Sequence, residues 1–380
     1  MLFRLRYARL TFLMLHGVTI MGLTAVYSYP RPIDPVDTKQ VFEREDAYIN
    51  EETATRHFRG TVLVGIDGKI VFEKAYGPAD EEWDVPNTPK TKFRIASLTK
   101  QFTATCILLL QERGLLHVQD RVSKYLTDVP AAWKEITVQQ LLTHTSGVPN
   151  PDYASKQSAN IQRMGATPRE AIAQVANQPL DFSPGTNWGY SNTGYILLGI
   201  LIEKLSGQTY ADFLENNIFH PLGMADSGYD RAAEILKARA SGYDINNGHV
   251  TNADFIDMSG PFSAGGLYST VEDMFRWNEA LSHSGKLLSA DSLKQMFTEY
   301  PEATHEGQHY GYGVVISRQK FGRMVYYHGG GVDGFSSVIQ RYPEERLCIV
   351  VLSNLASYKP WELGDHIAAD VFHLPVPKMH

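Results

Sequence analysis

Ser97-Leu98-Thr99-Lys100 places a hydroxyl and an ammonium three residues apart. On a helix that spacing brings both side chains to one face. A serine hydroxyl attacks an acyl carbon only when a base takes its proton. A lysine whose pKa is lowered by burial can be that base, or can hold another base in place. A helix N-terminus would also aim backbone N–H groups at the oxyanion formed on attack. The motif is short, and Ser317-Arg318-Gln319-Lys320 repeats it in a strand-turn setting. Tyr190-Ser191-Asn192 supplies a second base and an amide, with Tyr48-Ile49-Asn50 as its rival. Tyr190 has the better setting, an exposed rim between the turn Ser183-Pro184-Gly185-Thr186 and a helix starting at Asn192. His328-Gly329-Gly330, at a strand end, could line the same cleft. Together these groups point to acyl transfer through a serine.

Other patterns suggest different chemistry and fit less well. His305-Glu306-Gly307-Gln308-His309 matches the zinc-peptidase pattern H-E-x-x-H, which needs both histidines on one helical face. Gly307 lies inside it, Pro301 precedes it, and Gly311 and Gly313 follow, so a loop is expected and zinc hydrolysis at His305/His309 is the minor alternative. His328-Gly329-Gly330-Gly331 looks like a lipase oxyanion loop, but no G-x-S-x-G nucleophile elbow exists in the chain. Gly329 to Gly334 fits G-x-G-x-x-G, yet a strand rather than a helix follows. No metal and no cofactor is expected.

The elements that must hold these groups follow from periodicity. Residues 29–40, with Pro30, Pro32 and Pro35, read as an extended linker, and Val41 to Phe58 as a helix with Phe42, Tyr48 and Ile49 inward. Thr61–Ile66 and Ile70–Phe72 flank Asp67-Gly68, a two-residue hairpin signal. Ser97 to Arg113 is apolar almost all round, the mark of a buried helix. Thr137/Gln140 and Thr167/Glu170 read as capping boxes, and Asn150–Thr167 as a loop. Helices are expected from Asn192 to Leu205, Thr209 to Ile218 and Trp361 to Phe372. Strands are expected at Tyr312–Ile316, Met324–His328, Phe335–Arg341 and Leu347–Leu352. Trp83 and Asp84 read as structural.

The 380 residues carry 35 Lys+Arg against 42 Asp+Glu, a net charge of −7. That offers no polycationic surface, which argues against a nucleic-acid partner. Arg4, Arg6 and Arg9 precede an apolar stretch from Leu10 to Val26, with small residues near Ala25 and Ser28, the layout of a secretory signal peptide. The expectation is a secreted or periplasmic protein, or alternatively one anchored in a membrane by an uncleaved N-terminus. Without those three arginines the net charge is −10. Cys106 and Cys348 both sit in apolar surroundings and read as buried and unpaired.

Ser97-Leu98-Thr99-Lys100, Tyr190-Ser191-Asn192 and His328-Gly329-Gly330, joined by Phe93-Arg94-Ile95-Ala96-Ser97, Leu141-Leu142-Thr143-His144-Thr145-Ser146-Gly147, Pro184-Gly185-Thr186 and Ser263-Ala264-Gly265-Gly266-Leu267, carry a resemblance from about Phe58 to Leu355. The chain resembles the serine β-lactamase and penicillin-binding-protein superfamily, in the branch of class C β-lactamases, D-Ala-D-Ala carboxypeptidases and related esterases. The resemblance implies an α/β (α+β) β-lactamase/transpeptidase-like fold: an antiparallel sheet flanked by helices, with an inserted mostly helical domain. Its expected layout is a signal peptide over 1–28, a linker and helix over 29–57, an α/β domain from 58–96 plus 260–375, and a helical domain over 97–259, the active site lying on the seam. It implies Ser97 as nucleophile, Lys100 as its proton partner, and Tyr190 as general base and then acid. Asn192 would bind the substrate's amide carbonyl, and His328, Gly330 and Gly331 would line the substrate site. The N–H groups of Gly331 and Ser97 would form the oxyanion hole.

His328 stands where many members carry Lys, so its pull on a substrate carboxylate would be weaker and pH-dependent. The implied function is an exported serine hydrolase acting on a small amide or ester, carboxypeptidase-like or esterase-like. A class C-type β-lactamase and a non-turnover sensor binding β-lactams or peptidoglycan peptides are the alternatives. His144 reads as turn structure, and Trp188 and Tyr153 as possible cleft or lid residues.

Overall fold

The computed structural model describes residues 38–376, so the signal peptide expected over 1–28 and the linker expected over 29–37 lie outside the described residues, while 38–40, expected as linker, already belong to a helix. An eight-stranded antiparallel sheet is drawn from both ends of the described chain. Its strands are β1 (Gly60–Ile66), β2 (Lys69–Tyr76), β3 (Thr304–His305), β4 (Gln308–Tyr310), β5 (Val315–Ser317), β6 (Val325–Val332), β7 (Phe335–Tyr342) and β8 (Leu347–Ser353), in the spatial order β3-β4-β5-β6-β7-β8-β1-β2. Asp67 and Gly68 both take positive φ (53° and 72°), the backbone of a tight hairpin turn whose twist suits the strands it joins.

Strand alternation divides the core into two layers. Val62, Val64, Ile349 and Val351 face one way, against helices α1 (Thr38–Thr55) and α5 (Pro360–Val371) through Val41, Phe42 and Ile367. Leu63, Val350 and Leu352 face the other way, into the larger core with Phe102 of α2 (Thr99–Glu112) and Trp277 of α4 (Val271–Ser282). α2 packs against α3 (Asn192–Ser206). The stretch between the strands of the sheet also holds a small hairpin, Tyr243–Asn246 with His249–Asn252. Both expected capping boxes form, at Thr137/Gln140 and Thr167/Glu170. Among the described residues no helix is long and apolar enough to cross a membrane.

Several boundaries differ from the sequence expectation. Ser97 lies in a 3-10 turn, Ala96–Leu98, and α2 begins only at Thr99. Asn150–Thr167 is not all loop, because Ser155 caps a helix over Lys156–Met164. The helix expected over Thr209–Ile218 stops at Leu214 and continues as a π segment, Glu215–Phe219, ahead of Pro221. β5 starts at Val315: Gly313 turns with φ 72°, and a Cβ there would fall 2.6 Å from the Lys100 carbonyl oxygen. β6 runs four residues past His328, which is therefore not at a strand end. Trp83 is 79% exposed and packs no core. Cys106 and Cys348 are buried and unpaired.

Candidate active site

The turn carrying Ser97 is fixed from three sides. Ile95 N–H donates to Leu267 O (2.9 Å), Leu98 N–H donates to Ile95 O (3.1 Å), and Ser337 Oγ also donates to Ile95 O (2.9 Å). Ala96 adopts φ 45°, a left-handed backbone costing a residue with a Cβ about 1–2 kcal/mol. Those contacts hold the strain beside the hydroxyl. β6 runs along the same turn: a Cβ on Gly330 would lie 2.3 Å from Ile95 O and 3.1 Å from Ser97 N.

Lys100 is completely buried, one helical turn on from Ser97. Its Nζ lies 3.0 Å from Ser97 Oγ, 2.8 Å from Asn192 Oδ1 and 2.8 Å from Ala264 O. Desolvation holds its pKa well below the ordinary lysine value. A neutral amine has two N–H donors and one lone pair. The two carbonyl oxygens can only accept, so they take both N–H groups. The lone pair is left for the Ser97 hydroxyl, the arrangement a proton acceptor needs. Tyr190 approaches from the other side, hydrogen-bonded to Ser97, with its ring centroid 4.7 Å from Lys100 Nζ. Burial pushes the phenol's pKa up, so it rests protonated.

The Tyr190-Ser191-Asn192 segment is gripped along its backbone. Asn150 Nδ2 donates to Tyr190 O (2.7 Å), and Asn150 Oδ1 accepts from Asn192 N–H (2.8 Å) and Thr193 N–H (3.3 Å). Ser191 N–H donates to His144 Nδ1 at 3.1 Å. His144 takes φ 60°, is fully buried and lies 4.3 Å from the Tyr190 ring. Burial holds its pKa far down, so it is a neutral support. Ser191 caps α3 through Gly194 N–H (3.0 Å).

Ser97, Asn192, Tyr153 and Gly331 line one cleft of about 280 Å³. Asn192 Nδ2 donates to Tyr153 Oη at 3.0 Å. His328 and Gly330 stand behind the wall rather than in it. His328 is 5% exposed, its Nε2 accepting from Tyr310 Oη (2.8 Å) and its Nδ1 donating to Gly329 O (2.5 Å). Burial pushes its pKa down to about 3, so it stays neutral over the whole physiological range. The pH-dependent pull expected of it is therefore absent. Trp188 is stacked on His305 at 4.7 Å, away from the cleft lining.

His305 and His309 lie on the paired strands β3 and β4, with Thr304 opposite His309 and His305 opposite Gln308. Residues paired across a hairpin share a face, so the two histidines project to opposite faces. The zinc alternative fails on that geometry. The rival S-x-x-K pair is also spent, since Ser317 Oγ accepts from Gln319 N–H and Lys320 pairs with Asp365. Sequence reasoning missed Asn150, Tyr310 and the Ala264 carbonyl. Ala264 acts through its backbone, which carries no sequence signal, and Asn150 and Tyr310 become informative only once folding sets them against the motifs.

The sequence model of the Beta-lactamase family matches residues 46–371. Penicillin-binding protein 4* of Bacillus subtilis (strain 168) is 33% identical over 312 residues, covering 78% of this chain and 68% of that protein. The octameric penicillin-binding protein homologue from Pyrococcus abyssi shares 30% identity with a TM-score of 0.78, covering 88% of this chain and 78% of that one. The D-amino acid amidase from Ochrobactrum anthropi SV3, solved with L-phenylalanine, shares 26% with a TM-score of 0.72, covering 82% and 92%.

Proposed function

Since the chain belongs to the Beta-lactamase family and is a serine hydrolase, we propose that it opens a small amide or ester through an acyl-enzyme on Ser97. The reading rests on one observation: two carbonyl oxygens occupy the donors of Lys100 Nζ and leave its lone pair for Ser97 Oγ, 3.0 Å away. Lys100 takes the hydroxyl proton while Oγ bonds to the acyl carbon. The negative charge that develops on the carbonyl oxygen is met by the N–H groups of Ser97 and Gly331. Tyr190 gives its proton to the departing amine or alkoxide and regains one from Lys100. Water then repeats the sequence in reverse and frees the acid. The family resemblance implied Tyr190 as the general base; the directions of the two pKa shifts support Lys100 in that part and Tyr190 as the acid. Asn192 holds Lys100 through Oδ1 and keeps one amide hydrogen for the substrate carbonyl.

Carboxypeptidase-like and esterase-like hydrolysis both fit this chemistry, and a neutral His328 weakens the β-lactamase alternative. The test is intact-mass analysis with penicillin, a D-Ala-D-Ala peptide and a short-chain nitrophenyl ester, on wild type and Ser97→Ala. An acyl adduct on Ser97 with turnover of at least one substrate supports the reading. A stable adduct without product release would instead indicate a sensor, and no modification by any of the three overturns it. The basic and apolar N-terminus adds a proposal of export, checked by N-terminal sequencing of protein recovered outside the cytoplasm.

A further inference from the structure

The cleft beside Ser97 carries an uneven charge. Among the described residues lining it, Asp333 is the single Asp, Glu, Lys, Arg or His. The rest of the wall is apolar, such as Ile161, Ile196 and Ile256, or neutral and polar, such as Gln162 and Gln174. Neither nitrogen base behind Ser97 lines the cleft: His328 stays neutral, and desolvation disfavours the charged form of Lys100.

Asp333 itself has no hydrogen bond or salt bridge to a described residue. The two cations whose fields reach it are already engaged: Arg94 with Asp230 at 2.7 Å and Arg163 with Asp254 at 3.5 Å. Asp254 and Asp244 add to the negative field around it. Asp333 is exposed at the mouth of the cleft, where partial desolvation, and then Asp254, hold its carboxyl above the ordinary value. A substrate cation would supply a partner, and a substrate carboxylate would meet a like charge.

The spacing also suits a particular ligand. Asp333 opens the two-residue turn between β6 and β7, two residues after Gly331 and so no more than about 7 Å along the chain from it, and both line the cleft. With the scissile carbonyl at the Gly331 N–H, an α-ammonium lies one carbon further along, within the reach of an aspartate side chain.

We propose that this cleft selects acyl donors bearing a free ammonium, α-amino amides and esters, and that Asp333 is the specificity-determining residue that binds the ammonium. The proposal rests on the serine-hydrolase reading of the same site and narrows its substrate class. It disfavours substrates whose recognition depends on a carboxylate, such as peptides ending in D-alanine.

The test compares kcat/KM at pH 6.5 for D-alanine p-nitroanilide and L-alanine p-nitroanilide with their N-acetyl derivatives, in wild type and Asp333→Asn, beside a neutral nitrophenyl ester. An α-amine is mostly protonated at that pH. Wild type prefers the free amine of at least one configuration by about three- to tenfold, the scale of a partly exposed ion pair. The ratio falls toward one in Asp333→Asn, and Asp333→Lys shifts preference toward N-succinyl substrates. Equal rates in wild type, a ratio unchanged in Asp333→Asn, or hydrolysis of the ester but of none of the anilides would each overturn the ammonium assignment and leave the serine hydrolase standing. Ester hydrolysis that survives Ser97→Ala would sink the underlying reading instead.

Discussion

The side-chain oxygen of Asn192 lies 2.8 Å from Lys100 Nζ and ties the helix that follows the nucleophile to the helix opened by Tyr190-Ser191-Asn192. The Ala264 carbonyl completes the grip from a third segment, also at 2.8 Å. Neither oxygen carries a formal charge, so nothing there compensates an ammonium in a fully buried site. Desolvation favours the neutral amine, the protonation state the chemistry requires, and the two carbonyls orient it toward Ser97.

Replacing Lys100 by Arg tests the protonation state directly. A guanidinium keeps its charge at any workable pH and cannot take the Ser97 proton. Lys100→Arg is expected to lose at least about a thousandfold in ester hydrolysis. In wild type, kcat/KM rises with pH as Lys100 loses its proton, with a midpoint well below 10.5. The same acid limb should persist in the residual activity of Tyr190→Phe; its disappearance there would move the base role to Tyr190.

Gly330 and Gly331 predict opposite outcomes. A Cβ on Gly330 would press 2.3 Å from Ile95 O, which is backbone, and force β6 away from the Ser97 turn. Gly330→Ala is expected to cost a hundredfold or more in kcat, on the order of what a 1 Å misplacement costs, together with a lower Tm. A Cβ on Gly331 meets nothing within 4 Å. Gly331→Ala should keep its Tm and change only which substrates fit. Equal Tm losses in the two variants would contradict the packing described for β6.

Asn150→Ala removes the partner of Tyr190 O, Asn192 N–H and Thr193 N–H at once. We expect a loss of about 1–3 kcal/mol in stability and a drop of about 10- to 100-fold in kcat with a smaller change in KM. Asn150→Asp keeps the acceptor and loses the donor, so it should fall between. Denaturant unfolding and steady-state kinetics on the three proteins check the order.

His328 makes stability depend on pH with a definite sign. Its pKa is about 3 in the folded protein against an ordinary 6.5. Between those values the unfolded chain binds a proton that the folded one refuses, so stability is lost as pH falls from 6.5 toward 3. One such group contributes a slope of at most about 1.4 kcal/mol per pH unit. Urea midpoints measured from pH 7 to pH 4 should fall more steeply in wild type than in His328→Gln. An identical slope in both would mean that His328 titrates normally.

Much of the site could be read in order along the chain. Ser97 and Lys100 stand one helical turn apart, the capping boxes at Thr137 and Thr167 mark helix starts, and Asp67-Gly68 marks a turn, because each depends on neighbours within four residues. His305/His309 shows the limit of such local reading. The same five residues that spell a metal motif on a helix spell a hairpin here, and pairing with β5 across the sheet decides which.

The sequence by itself determined which atoms are available for acyl transfer and that no lipase-type elbow competes with them. Tertiary structure decided their electrical state. Lys100 and His328 are bases of ordinary strength as residues, and both are shifted toward their neutral forms because the fold removes their water. Asp333 is one acid among many in the chain, and it becomes the charge of the cleft because folding brings it to that wall while Arg94 and Arg163 pair elsewhere. Desolvation and long-range pairing depend on which segments meet, and that information is not carried by any short stretch of residues.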